Sequence, residues 1–264
     1  MNCLHRLFAA LLAFGMALGV PTGASASRVS PMILELEPQG RASIARVDLV
    51  NDGLRDIPYE VQMMRGVISP EGQLELTPAD EEFVVFPAQT IVESNSQQVF
   101  RIQYVGEGAR DKSEVFYMAI RQIPVEFDPG VNQIQMVVNY NVLVNVVPEG
   151  AQPEPVVLSA QMGSRMIPGA PDAENPTAEP EPVEQRGITV DIGNNGNRFY
   201  LAGLADWSIS GTTVSGQPFE RNFRGDEASR LIGVGVVAPG ANRIFFLPTD
   251  DELVDDSLKI DIDP

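Results

Sequence analysis

The stretch "NQIQMVVNYNVLVNV", Asn132 to Val146, sets the reading of the whole chain. It runs for about fifteen residues without Gly or Pro, where strands in globular proteins usually span about 3–10. Its even positions are all apolar: Ile134, Met136, Val138, Tyr140, Val142, Val144 and Val146. A period of two predicts a strand with one apolar face. On an open sheet edge such a segment would template aggregation. Its retention therefore calls for a use.

Working outward, the same period recurs along the chain, and no segment sustains an apolar period of 3.6. The first half offers strands at 30–36, 43–51, 58–65, 73–76, 82–86, 97–105, 114–122 and 132–147. Turn clusters such as "NDGLRD", "SPEG" and "VGEG" separate them. Short strands at this spacing predict an all-β sandwich. "PEGAQPEP", Pro148 to Pro155, cannot continue a strand interior and reads as an inter-domain elbow, with the boundary near Glu149. Strands resume at 156–161, 187–192, 198–209, 218–223, 230–236, 242–246 and 257–262. Between the first two lies 162–187, rich in Pro, Glu and Ala and poor in large apolar groups. It reads as a flexible, solvated loop. The halves also echo each other. "VDLVNDG" (Val47–Gly53) and "VDIGNNG" (Val190–Gly196) are each a strand running into an Asn-x-Gly turn. Two related sandwiches and chance similarity between β-rich stretches both account for the echo.

The chain begins with a short charged start, an apolar run from Leu7 to Val20, and small residues "ASAS" at Ala24–Ser27. This is the pattern of a secretory signal peptide over 1–26. The apolar run is too short to span a bilayer, which needs about 20 residues. Cleavage after Ala26 would remove the only Cys (Cys3) and the only His (His5). The remaining 238 residues then hold no disulfide, no histidine base and no Cys or His metal ligand. They carry 17 Lys and Arg against 36 Asp and Glu, a net charge of −19. A field of that sign disfavours nucleic acid and anionic membranes. The expectation is a soluble exported protein without membrane insertion.

Three stretches carry a family resemblance. "SPMILELEPQGRASIARVDLVNDG" (Ser30–Gly53), "FVVFPAQTIVESNSQQVFRIQY" (Phe83–Tyr104) and "VFYMAIRQIP" (Val115–Pro124) occur in the order seen in PapD-like periplasmic chaperones of the chaperone–usher pathway. The chain resembles that family well from Ser30 to Pro148 and beyond it mainly in order, size and plan. The resemblance implies two immunoglobulin-like β-sandwich domains, 27–148 and 149–264, joined at an angle by the Pro/Gly linker. It implies a periplasmic chaperone, not an enzyme, with no catalytic residue, cofactor or metal. Such a chaperone binds pilus or surface-fibre subunits by strand addition and delivers them to an outer-membrane usher.

The resemblance also gives the opening stretch its use. In the family the last strand of the first domain lends alternate apolar side chains to a subunit that lacks a strand. Aligned on Pro148, those positions are Ile134, Met136 and Val138, with Tyr140 continuing the row. The Asn residues at 139, 141 and 145 fall on the other face, as on a strand only partly covered by its own domain. Two cations that hold the subunit's C-terminal carboxylate in the family correspond to Ile33 and Leu143, both apolar here. Arg28 and Arg41 do not align with either place. Three readings follow from the departure: a client held by apolar strand pairing alone, a divergent system, or a protein outside pilus assembly.

The remaining features read more plainly. Arg121 beside "QIP" is expected to make an ion pair within the sandwich. "TDDELVDD" (Thr249–Asp256) lacks the spacing of a calcium loop and reads as a solvated acidic turn. "GVGVV" (Gly233–Val237) lacks the helix and third Gly of a nucleotide loop. Trp207 is expected in the second core. The alternatives to a chaperone are an exported structural or adhesive sandwich protein, and a carboxylate-dependent hydrolase, for which no paired acidic motif stands out.

Overall fold

The computed structural model describes residues 27–107, 110–124, 137–170 and 180–264. Ten strands build the N-terminal domain: β1 Arg28–Ser30, β2 Ile33–Leu36, β3 Ile44–Asn51, β4 Ile57–Ile68, β5 Leu74–Pro78, β6 Phe83–Phe86, β7 Gln89–Val92, β8 Ser96–Tyr104, β9 Glu114–Gln122 and β10 Asn139–Val146. They form one sheet in the order β1-β3-β8-β6 and another in the order β2-β10-β9-β4-β5, with β7 also on β4. The first stretch of chain thus changes sheets at Pro31, whose nitrogen has no hydrogen to give a ladder. Alternation places Phe100 and Ile102 of one sheet against Phe116, Met118, Ile120, Val142, Val144 and Val146 of the other, all fully buried. Phe83 fills the end of this core, meeting Tyr104 and Phe116 edge to face at 5.2 and 4.9 Å.

The C-terminal domain holds β11 Pro155–Pro168, β12 Pro182–Asn194, β13 Tyr200–Leu201, β14 Asp206–Thr212, β15 Pro218–Phe223, α1 Asp226–Ile232, β16 Val236–Val237, β17 Asn242–Pro248 and β18 Lys259–Asp263. Sheets β11-β12-β17 and β15-β14-β18 enclose a second core, and β13 pairs with β16. Trp207 anchors that core as expected. It stacks on Phe223 at 5.6 Å, meets Phe245 edge-on at 6.1 Å, and donates its indole N–H to the Ala202 carbonyl at 2.7 Å. The chain is therefore all-β with two sandwich domains. The turn at 148–151, closed by Ala151 N–H donating to Pro148 O at 3.2 Å, lies between them.

Several expectations need correction. The loop expected over 162–187 is strand at 162–168 and at 182–187. β11 and β12 pair from Pro155↔Asn194 out to Pro168↔Pro182, while β17 covers β12 only from Gly187 to Gly193. The outer part is a two-stranded ribbon whose backbone groups satisfy each other. Residues 171–179 lie outside the described part. The strand expected at 198–209 is broken between β13 and β14, and that at 230–236 holds the last turn of α1, the connection at 233–235 and the first residue of β16. α1 has only seven residues, too few to display a helical period.

The echo between the halves has a structural basis. Asn51 accepts from Gly53 N–H at 3.0 Å and donates to Arg55 O at 2.8 Å and Val92 O at 3.0 Å. Asn194 accepts from Gly196 N–H at 3.0 Å and donates to Arg198 O at 2.7 Å and Val237 O at 3.1 Å. Both side chains are buried. Each forms an Asx turn with the residue two ahead, caps the carbonyl four ahead, and ties the turn to a distant strand end. The match in three bonds favours related sandwiches over chance.

The domains meet along an apolar seam. Val115, Leu143 and Val147 of the first pack with Phe199 and Val236 of the second. Polar bonds flank it: Phe199 N–H donates to Ser113 Oγ at 2.7 Å, Ile244 N–H donates to Pro70 O at 2.8 Å, and Arg198 meets Glu35 at 2.6 Å.

Candidate functional site

β10 has two different flanks. β9 runs antiparallel along its whole length, from Asn139↔Arg121 to Val146↔Glu114. On the other flank β2 runs parallel but covers only Leu143 to Val146. The Leu143 N–H donates to Met32 O at 2.9 Å, toward β2. By strand alternation the backbone groups of Asn141 and Asn139 point the same way. No strand meets them there among the described residues. Among the described residues this leaves an open edge, with backbone donors and acceptors that face no strand.

The predicted row divides along the strand. Val142, Val144 and Val146 are core. Tyr140 packs partly against that core, and its hydroxyl donates to the Ser27 carbonyl. Burial raises the Tyr140 hydroxyl above its ordinary pKa, and the nearby Tyr59 adds to the rise. Val138 lies just before the strand, 36% exposed, with its N–H donating to Gln122 Oε1 at 3.3 Å. Ile134 and Met136 lie outside the described residues, as does the rest of the strand expected from Asn132. Val137 and Val138 are described and carry no strand pairing, so the described strand starts at Asn139.

The opposite row corrects a second expectation. Asn139 and Asn141 are exposed, but Asn145 is fully buried, and neither amide atom has a partner among the described residues. It occupies the seam side of β10 with Leu143 and Val147, so this part of the strand has both faces covered. Leaving such an amide unbonded costs about 1–3 kcal/mol.

Ile33 and Leu143 are direct partners across the parallel β2–β10 pair. Leu143 is 5% exposed and packs in the seam, with Ile33 partly buried against it. A lysine at 143 would have to desolvate its charge, which explains an apolar residue there. Both line a cavity of roughly 350 Å³ between the domains, together with Met32, Tyr117, Val236 and Arg243. Neither Arg28 nor Arg41 lines it. Arg28 instead faces Asp52 at 3.8 Å on the surface. Arg121 makes no ion pair among the described residues. Its guanidinium donates to Gln62 Oε1 at 3.0 Å, an amide taking the place of the expected carboxylate.

Arg243 is the residue that the sequence did not reveal. β17 carries it to the cavity because Ile244 N–H is pinned to the turn at Pro70 of the first domain. Its guanidinium donates to Val236 O at 3.0 Å and lies 5.3 Å from the Phe245 ring centroid. Gly72, at φ +93°, lets the turn close over it, since a Cβ there would sit 2.8 Å from Arg243 Nη2. Nothing in the local sequence "NRIFF" distinguishes this cation from those on the surface. "GVGVV" proves to be the connection from α1 into β16, and its Val234, Gly235 and Val236 line the same cavity. The acidic stretch at 249–256 gathers no metal-ligating group of three or more His, Cys, Asp or Glu among the described residues. No helix among them is long and apolar enough to cross a membrane.

Comparison with known proteins agrees with this architecture. Residues 35–152 match the family described as pili and flagellar-assembly chaperone, PapD N-terminal domain. No curated protein sequence matches. Among solved structures, the class 5 fimbriae chaperone CfaA is similar at a TM-score of 0.50 and 12% identity, covering 90% of this chain and 99% of its own. A chain of the CsuC–CsuE chaperone–tip adhesion subunit pre-assembly complex, from the archaic chaperone–usher Csu pili of Acinetobacter baumannii, is similar at a TM-score of 0.50 and 11% identity. It covers 90% of this chain and 98% of its own. At such identities the structural likeness speaks for the fold alone, a two-domain all-β fold. The family match falls on the domain that holds the open edge, and over residues 35–152 the chain is similar to the N-terminal domain of the PapD-like pilus-assembly chaperones.

Proposed function

We propose that this protein is a periplasmic chaperone that holds exported pilus or surface-fibre subunits by lending them the edge of β10, then delivers them to an outer-membrane usher. The observation that carries this reading is the open flank of β10 at Asn139–Val142. It continues straight from a fully packed core row toward the exposed Val138. Main-chain bonds along that flank would supply affinity, and the apolar row Ile134, Met136, Val138 and Tyr140 would enter the core of the partner. Three or four such side chains, at roughly 1.5–3 kcal/mol each, give a gross term of about 5–10 kcal/mol before association costs. The pattern of residues 1–26 supports export to the periplasm.

The test is co-purification from the periplasm. Met136→Glu and Val138→Glu place a charge in the row without touching the described core. Both are expected to abolish recovery of the bound subunit while the protein itself keeps its wild-type yield. Recovery at wild-type level would show that the row is not the binding surface.

A further inference from the structure

β9 and β10 separate at one rung, and side chains make the separation. The backbone ladder runs from Val146↔Glu114 out to Asn139↔Arg121, and its next pair would be Val138 with Gln122. Odd residues of β10 turn their backbone groups toward β2, as the Leu143 N–H shows, so even residues turn theirs toward β9. A regular antiparallel pair at 138 and 122 would exchange two backbone bonds. Instead the Val138 N–H donates to Gln122 Oε1 at 3.3 Å, and the Gln122 N–H donates to Asn139 Oδ1 at 3.2 Å. Two side-chain carbonyls thus stand where two backbone carbonyls would. β9 is fixed here from its other flank: Gln122 pairs with Tyr59 of β4, and the Ile123 N–H donates to Pro58 O at 2.9 Å. It is therefore β10 that leaves the sheet. Among the described residues Gln122 is the last group of β9 bonded to it.

Val138 lies one residue outside β10 and belongs to no strand. A residue released from its sheet samples many backbone conformations, and ordering it when a partner binds has an entropic cost. One bond from its amide to a fixed strand removes part of that cost in advance. Held on the line of β10, Val138 falls two residues from Tyr140 and so on the same side as Tyr140 and Val142. Both side-chain bonds are open to water, so they add little to the stability of the fold. What they fix is where Val138 stands. We infer that Gln122 is a positioning residue for the lending row: its side-chain carbonyl keeps the Val138 amide aligned with β10 before a partner arrives, and Asn139 completes the splice by taking the Gln122 N–H. This rests on the strand-lending reading and deepens it.

The test uses the whole isotope-labelled protein, free of any subunit, and reads amide hydrogen exchange residue by residue in solution. Gln122→Leu removes the side-chain acceptor, whereas Gln122→Glu keeps one. In Gln122→Leu the Val138 amide is expected to exchange about threefold to tenfold faster than in the wild type, the factor that one neutral hydrogen bond supplies. Gln122→Glu should restore the protection. Tyr140, still inside the ladder, should exchange alike in all three proteins, which separates loss of positioning from general loosening. Recovery of the periplasmic subunit should fall with Gln122→Leu while the melting temperature stays at the wild-type value. A wild-type Val138 amide that exchanges as fast as an unstructured chain would overturn the inference without any variant, so a misfolded Gln122→Leu cannot shield it. Exchange at Val138 unchanged by Gln122→Leu would overturn it too, as would undiminished subunit recovery in a variant that has lost the protection. An unprotected Val138 in a protein whose Val138→Glu variant loses the subunit sinks this inference and leaves strand lending standing. Undiminished recovery with Val138→Glu sinks the strand-lending reading, and this inference with it.

Discussion

Asn51 and Asn194 show how much a single side chain can organise. Each amide satisfies four backbone groups, two in its own turn and two elsewhere in its domain. Removing the amide leaves buried carbonyls without donors, so the loss exceeds the net value of the bonds. Asn194→Ala is expected to lower stability by about 1–3 kcal/mol in urea unfolding. A loss near zero would mean that the turn is held by something else. This pair was legible in advance because an Asn followed two residues later by Gly at a strand end has a local mechanism. Arg243 was not, because its role depends on a contact with Pro70 and Gly72, some 170 residues earlier in the chain. Asn145 misled for the same reason. A polar residue at an outward position looks solvated until a second domain is placed against it.

At the scale of elements, the period of two identified the strands that have one covered face. The even row of β10 from Val142 to Val146 and the alternation in β8 belong to this class. It missed the outer ribbon of β11 and β12. There both faces are largely exposed, so no apolar alternation is imposed, and the pairing rests on main-chain bonds with one cross-strand side-chain bond, from Arg165 Nε to Gln185 Oε1 at 3.0 Å. The ribbon joins the three-stranded sheet at Gly187. A Cβ at that position would lie 2.4 Å from the Leu247 carbonyl and 2.6 Å from the Phe246 ring. Gly187→Ala is therefore expected to push β17 away from β12 and cost about 1–3 kcal/mol, the usual range for overpacking. Hydrogen exchange should show the faster opening at Leu247. Unchanged protection there would place the strain elsewhere.

Across the whole molecule, the seam between the sandwiches mixes strong and weak contacts. The Arg198–Glu35 pair is short but its side chains are 35% and 46% exposed, so solvent screens it to about 0–1 kcal/mol. Phe199 is 3% exposed among Val115, Leu143 and Val147, and its N–H is held by Ser113. Phe199→Ala is expected to cost about 3–5 kcal/mol and to loosen one domain from the other, visible as a larger radius in small-angle scattering. A variant that keeps the wild-type radius and melting temperature would show that the linker, not the seam, fixes the pair. The two-domain plan could be anticipated from the Pro and Gly of 148–155. The seam could not, because its residues come from both halves and share no local pattern.

The short reach of β2 has a metrical consequence. Because it covers β10 only from Leu143 onward, the free flank has a fixed inner end, and under the proposed strand lending that end would work as a ruler. A strand laid there is counted off from one stop. Adding a single residue at the stop would either force a bulge or turn every alternate side chain to the wrong side. The protein would then discriminate among otherwise similar tails by length as well as by composition, a form of proofreading that needs no moving part.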